Sequence, residues 1–376
     1  MNAHGPLSDN GVVRLLTHTG ERLEHPEYSA LAQDLDAATL RAMWREMVLV
    51  RAFDAEATSL QRQGELGLWV SSLGQEAAQI GSGHALTDRD WVFPAYREHA
   101  IAMLRGIDLA DILKIFRGLE HSSWVPSEHN FHIYSFVIGA HTLHATGYAM
   151  AMDRDGLVGS GRPDHDAAVV CYFGDGAISE GDTNEALTFA AVNNAPIVFF
   201  CQNNQYAISE PTSRQSKVDL AQRASGVGIP GVRVDGNDVL ASYAVTKQAL
   251  ERARSGGGPS FIEAFTYRMS AHTTSDDPTR YRTREEEDYW RDRDPLKRLT
   301  AYLERAGELP AAFQEEAHAE GKALAARVRT RLRGFTRAPA NEMFDHVYAE
   351  PHAMVDSDRA WFERYKKSFV DVEVEG

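Results

Sequence analysis

Two uninterrupted apolar runs mark the middle of the chain, Ala167 to Phe173 and Pro196 to Cys201, both rich in β-branched and aromatic residues. Runs of this length without polar alternation predict strands buried on both faces. Between them Leu187, Ala190 and Ala191 recur at helical spacing, while Glu180, Asp182 and Glu185 put negative charge where a helix N-terminus favours it. Ser179 to Val192 is therefore predicted as a helix, and the whole as a strand-helix-strand crossover with parallel strands. The same reading predicts a helix from Asp36 onward, capped by Asp34 or Asp36, and another from Gly74-Gln75-Glu76. It predicts a strand at Trp91 to Phe93, a helix from Leu109 to Phe116 and a strand and turn at Gly231 to Gly236. A helix from Val239 to Arg254, a strand at Ser260 to Phe265 and a helical stretch over 301 to 333 follow. Residues 1–35 and 336–376 lack periodicity and are expected to be arms, which leaves 36–335 as one α/β domain. Strands alternating with helices imply a doubly wound fold with a mostly parallel sheet.

That topology gives two polar clusters their meaning. Gly174-Asp175-Gly176 follows the first buried strand and Asn203-Asn204 follows the second, so both emerge at carboxyl ends, where open α/β sheets place ligands. An Asp carboxylate and an Asn carbonyl suit Mg2+, which takes oxygen ligands at roughly 2.0–2.1 Å and few protein carboxylates. Glycines on either side of Asp175 permit a sharp turn and the close approach of a phosphate.

Composition narrows the classes. A hydrophobic content of 43% over 376 residues supports a substantial core. The formal charge of -15 argues against nucleic acid as a partner. Each pair of like charges about 4 Å apart costs roughly 4 kcal/mol at an effective dielectric near 20, so an anionic ligand in this chain calls for a metal and for Arg or His nearby. No apolar run approaches the roughly 20 residues that span a bilayer, and the N-terminus carries no signal-like segment, so a cytoplasmic location is expected. Cys171 and Cys201 both fall in predicted buried strands, which makes inert core thiols the expectation.

Gly174-Asp175-Gly176-Ala177 with Asn203-Asn204 resembles the thiamin-diphosphate motif. Cys171 to Ser209 together with Tyr267 to Arg282 resembles the alpha subunit of the decarboxylating component of 2-oxoacid dehydrogenase complexes, over about residues 36 to 350. Ser179 to Asp182, Asn203 to Ser209, Val234 to Val239 and His272 to Asp277 have the flavour of the branched-chain type. The resemblance implies a thiamin-diphosphate-binding fold that holds the diphosphate half of the cofactor. It assigns the metal to Asp175, Asn204 and the backbone carbonyl of Tyr206. It assigns the cofactor to Tyr96, Arg97, Phe136, Ile138, Gly174, Asp175, Gly176, Ala177, Asn204, Tyr206 and His272, with His272 as the catalytic histidine. It further implies a beta subunit in an α2β2 heterotetramer, a lipoyl-bearing transacylase core and a branched-chain 2-oxoacid such as 3-methyl-2-oxobutanoate. The alternatives are a pyruvate dehydrogenase alpha subunit, an acetoin-cleaving relative and a non-catalytic interaction subunit.

Departures accompany the matches. Gln202 stands where an arginine often precedes the Asn pair, and the segment Glu120 to Glu128 replaces a glycine-rich stretch. Ala140 and His141 replace the Thr and Gln of a potassium site, and Thr273 replaces a regulatory serine. Arg268, Asp276, Asp277, Tyr281 and Arg282 are expected to order the loop around His272 as an ion-pair network. Glu76 fits a proton relay by chemistry, although the resemblance assigns that residue to the beta subunit. His121, His129, His132, His141 and His144 raise a zinc site, against which the absence of a Cys or carboxylate at ligand spacing counts.

Overall fold

Because successive side chains of a strand point to opposite faces, the central apolar runs feed two separate cores. In the computed structural model, which describes residues 11–120, 122–162 and 164–369, Val170 and Tyr172 pack into one core and Val169, Cys171 and Phe173 into the other. Val198 and Phe200 likewise oppose Ile197, Phe199 and Cys201. The strands are β1 (Val12–Val13), β2 (Trp91–Phe93), β3 (Val169–Gly174), β4 (Ile197–Asn203), β5 (Tyr206–Ala207), β6 (Glu210–Pro211), β7 (Gly231–Asp235) and β8 (Ser260–Phe265). Six of them form one sheet in the order β1-β7-β8-β4-β3-β2, every neighbouring pair parallel, and β5 and β6 make a separate antiparallel ribbon.

Helices cover both faces. Ala140–Arg154 and Gly181–Val192 pack against each other and supply Ala145, Ala149, Ala186, Leu187 and Ala190 to one core. Glu76–His84 and Val239–Arg254 cover the other face, with Ala37–Arg62 and Ala311–Gly334 outside them. Asp36 is the cap of Ala37–Arg62, its Oδ1 accepting from Thr39 N at 2.7 Å, whereas Asp34 accepts from Tyr243 and Lys247. Both cysteines are buried and unbonded.

The ends differ from the periodicity reading. The described part of the N-terminal segment lays β1 against β7, and Leu15 and Leu16 are fully buried. Asp238 explains the attachment, since its Oδ2 accepts from Leu15 N and Leu16 N at 2.7 and 2.6 Å while its Oδ1 caps Val239–Arg254. The stretch over 301 to 333 is two helices, Pro295–Arg305 and Ala311–Gly334, because Gly307 adopts a left-handed conformation and Pro310 cannot continue a helix. The tail carries a helix, Ala353–Lys367, whose Met354, Trp361 and Tyr365 are exposed. No helix among the described residues is long and apolar enough to cross a membrane.

Candidate active site

Register decides the site. β3 and β4 pair from Val169 opposite Ile197 to Gly174 opposite Gln202, so Asp175 leaves β3 beside the point where Asn203 and Asn204 leave β4. The two asparagines then diverge. Asn203 is structural: its Nδ2 donates to buried Glu263 at 2.7 Å, and its Oδ1 accepts from Gln205 N and lies 2.9 Å from Thr212 Oγ1. Asn204 lines a cavity of about 230 Å³.

That cavity brings together Tyr96, Arg97, Ile138, Gly174, Asp175, Gly176, Ala177, Asn204, Tyr206 and His272. Of the sequence-predicted residues only Phe136 lies apart. It is 47% exposed, stacks on Tyr96 with ring centroids 5.6 Å apart, and lines a neighbouring outer cavity of about 670 Å³ together with Leu68, Ile115, Phe116 and His272.

Asp175 is buried, and burial pushes its carboxyl above the usual range while Thr212 Oγ1 and Gln215 Nε2 pull it back, both donating to Oδ2 at 3.0 and 2.9 Å. The Tyr206 carbonyl accepts from Arg268 Nη1 at 2.8 Å, and a backbone carbonyl oxygen has two lone pairs. A carboxylate, an amide carbonyl and a backbone carbonyl make the hard oxygen set that Mg2+ takes. A Cβ built on Gly174 would meet no atom within 4 Å, so the glycine leaves room in the cavity wall for a close-lying ligand.

The cations are fixed from behind. Arg97 is 6% exposed, donates through Nη1 to Ser71 O and through Nη2 to His272 O at 2.9 Å. Arg268 reaches Ile208 O at 2.7 Å and Tyr281 OH at 3.2 Å, and burial followed by the charges of Arg97 and Arg282 lowers it to about 10. His272 stands between these guanidiniums, 3.4 Å from each through Nδ1. Burial, then Arg97 and Arg268, push its pKa down to about 3, so the ring is neutral at pH 7 rather than poised near neutrality.

The loop carrying His272 is ordered by hydrogen bonds and cation–π contacts instead of the expected ion pairs. His272 N and Tyr281 OH both donate to Asp276 Oδ2. Arg282 lies over the rings of Tyr206 and Tyr267 at 4.9 and 4.8 Å, and Asp277 caps a turn at Thr279. Ile208, which also lines the cavity, has a φ of 57°. A β-branched residue there is strained, and its carbonyl is held by Arg268.

Several lining residues escaped the sequence reading: Gln75, Glu98, Ser135, Gly139 and Glu180. Glu98 follows Arg97 directly, and a carboxyl at a strand end beside a predicted phosphate-gripping arginine was the signal available. Burial raises it to about 7. Gln202 donates to Glu98 Oε1 at 2.7 Å and accepts from Gln79 Nε2 at 3.0 Å, so the departure from arginine is absorbed into a buried amide network. His141 Nε2 donates to Tyr172 O at 2.8 Å, just beyond the point where β2 ends. Glu76 bonds Arg51 and Gly74 N and does not line the cavity. Trp124 packs on Phe131 and Tyr134, which makes the altered segment a small aromatic cluster, with Leu119 and Glu120 on the wall of the outer cavity.

Of the histidines raised for zinc, His129 bonds Arg105 O at 2.9 Å, His132 stacks on Phe93 and His141 bonds Tyr172 O as above, while exposed His144 lies near enough to His132 and His141 to add to the burial that lowers the pKa of both. His121 lies outside the described residues. Among the described residues no three His, Cys, Asp or Glu side chains gather as an ion-holding group.

The chain is 44% identical over 335 residues to the 3-methyl-2-oxobutanoate dehydrogenase subunit alpha of Mycobacterium tuberculosis H37Rv, covering 89% of this chain and 87% of that one. It is 41% identical over 279 residues to the pyruvate dehydrogenase E1 component subunit alpha of Staphylococcus aureus N315, covering 74% and 73%. Residues 44–343 match the profile of the family described as the dehydrogenase E1 component, and the chain belongs to that family.

Proposed function

We propose that this chain is the alpha subunit of a branched-chain 2-oxoacid dehydrogenase that acts on 3-methyl-2-oxobutanoate, with thiamin diphosphate and Mg2+ held at the β3 and β4 ends. The observation that carries the reading is the meeting of Asp175, Asn204, the Tyr206 carbonyl, Arg97 and Arg268 around one buried cavity. When bound, thiamin diphosphate supplies the carbanion chemistry for decarboxylating a 2-oxoacid and passing its acyl group to lipoyl-lysine of a transacylase.

The residues divide the rest of the work. Asp175, Asn204 and the second lone pair of the Tyr206 carbonyl hold the ion, and Arg97 neutralises the diphosphate with a rigid fork of donors. Gly174, Gly176 and Ala177 keep the wall low. Tyr96 and Ile138 border both cavities, and Phe136 stacks on Tyr96 at the outer one. His272 is the proposed catalytic histidine. As a neutral imidazole it orients the phosphate end, and an anion that offsets Arg97 and Arg268 raises its proton affinity toward a useful range.

At about 230 Å³ the inner cavity is below the roughly 300–1,000 Å³ typical of whole-ligand pockets, which supports a site for the diphosphate half alone. The other half then belongs to a beta subunit in an α2β2 assembly, working in the cytoplasm. The relative named for 3-methyl-2-oxobutanoate, which aligns over more of the chain than the one named for pyruvate, favours the branched-chain substrate. The test is turnover by the assembled enzyme with magnesium, thiamin diphosphate and an artificial electron acceptor. Faster consumption of 3-methyl-2-oxobutanoate than of pyruvate is expected. Preference for pyruvate would reverse the substrate choice, and consumption of neither would leave a non-catalytic subunit.

A further inference from the structure

Gln75 stands immediately ahead of the helix Glu76–His84, is 1% exposed and lines the inner cavity. Its backbone has little freedom. Gly74 before it has a φ of 97°, and a Cβ there would come 2.2 Å from Tyr267 O, so the turn is pressed against the chain beyond β8. Gln75 N donates to Ser72 O at 2.9 Å, and Gln75 O accepts from Gln79 N at 3.1 Å.

The two ends of its amide are used unequally. Oε1 accepts from Asn204 Nδ2 at 3.4 Å, whereas Nε2 has no hydrogen-bond partner among the described residues. A buried amide NH2 is costly to leave without an acceptor, so such a group in a cavity wall calls for one from whatever the cavity holds. Arg97 and Arg268 are held from behind by Ser71 O, His272 O, Tyr206 O and Ile208 O, and Gln202 has both amide ends in protein hydrogen bonds, while Arg268 Nε and His141 Nδ1 in the same wall share with Gln75 Nε2 the lack of a partner among the described residues.

We infer that Gln75 is a binding residue of this site, donating through Nε2 to an anionic phosphoryl oxygen of the ligand while its Oε1 engages the Asn204 amide nitrogen and leaves the Asn204 carbonyl for the metal. The inference rests on the reading of the cavity as a magnesium-diphosphate site and deepens it. It also supplies a neutral donor to a wall where Gln202 offers no charge.

Calorimetric titration of the assembled enzyme with magnesium pyrophosphate tests this, comparing wild type with Gln75→Glu and Gln75→Met. Gln75→Glu keeps an acceptor for Asn204 but loses the donor, so pyrophosphate affinity should fall roughly 10- to 100-fold with little change in the magnesium concentration needed for half-saturation. Gln75→Met, neutral and similar in size, loses both contacts, so affinity should fall and the magnesium requirement should rise. A purely structural role would instead lower the unfolding midpoint of both ligand-free variants and shift the two requirements together, and that outcome overturns the inference. So does a Gln75→Glu enzyme that binds pyrophosphate within about twofold of wild type. Wild-type enzyme that takes up no magnesium pyrophosphate would overturn the reading of the cavity itself.

Discussion

The inner and outer cavities share Tyr96, Ile138 and His272 and are otherwise built on different terms. The inner one is small and backed by carbonyls that fix each guanidinium, so its charged groups are held in place before any ligand arrives. The outer one is about three times larger and mostly apolar, and the 136–138 segment beside it exposes Phe136 at 47% and Val137 at 70%. Large exposed apolar side chains beside a cavity mark a surface that another chain covers. On the proposed reading, the contrast is between a half-site complete within this chain and one that a partner finishes.

The strongest test of the inner half is Asp175→Ala, which removes the only carboxylate proposed for the ion. Thiamin diphosphate uptake measured by calorimetry should weaken roughly 100-fold or more, and an unchanged affinity would end the distinction between the two halves.

Acid comes next, because the fold holds three histidines neutral. His99 and His272 are pushed down to about 3 and His141 to about 4, chiefly by burial. Their unfolded values lie near 6.5, so the unfolded chain binds more protons as pH falls from there toward 3. Their contribution is complete above about pH 6.5 and is lost on the way down. Buried Glu98, raised to about 7, and Asp54, raised to about 6, act in the opposite direction over this range, so the histidines' share is read by difference: between pH 6.5 and 5 the melting midpoint of His99→Gln should fall less than that of wild type.

The asparagine pair sharpens the comparison within three atoms of chain. Asn203→Ala removes one donor from the buried Glu263 carboxylate, which keeps Ala221 N and Arg233, and should cost about 1–3 kcal/mol of stability, read by denaturant titration. Asn204→Ala should leave stability nearly unchanged and weaken magnesium-dependent cofactor uptake roughly tenfold. Equal melting losses in both would blur the two roles. Arg97→Lys cannot bridge Ser71 O and His272 O together, and a loss of about tenfold in cofactor affinity is expected by the same titration. Smallest is Phe136→Ala in the outer half, expected to change kcat/KM for the 2-oxoacid several-fold with cofactor affinity within about twofold of wild type.

Much of the inner half was legible because it depends on local chemistry at strand ends. The predicted strands at 91–93 and 260–265 and the helix at 239–254 coincide with the observed ones, and Asp175 and Asn204 emerge where the crossover puts them. What stayed hidden depends on distant partners. Gln75 joins Asn204 from 129 positions away, and Arg97 depends on a carbonyl at Ser71 that no periodicity announces. The lowered pKa of His272 stayed hidden because two guanidiniums from separate elements converge on it only in the fold. The β1 attachment was invisible for the same reason, since two amides and one Asp238 oxygen lie more than two hundred positions apart.

The sheet ends in β1 with two residues and in β2 with three, and neither outer border is bare. Leu23 N donates to Leu15 O beside β1, and Asn130 and His132 bond Val92 along the outside of β2. An incoming polypeptide thus meets covered backbone along the outside of β2, which favours association there through side chains over strand addition. Recognition by shape and residue type is harder to mimic than strand addition, which guards a large assembly against pairing with the wrong neighbour.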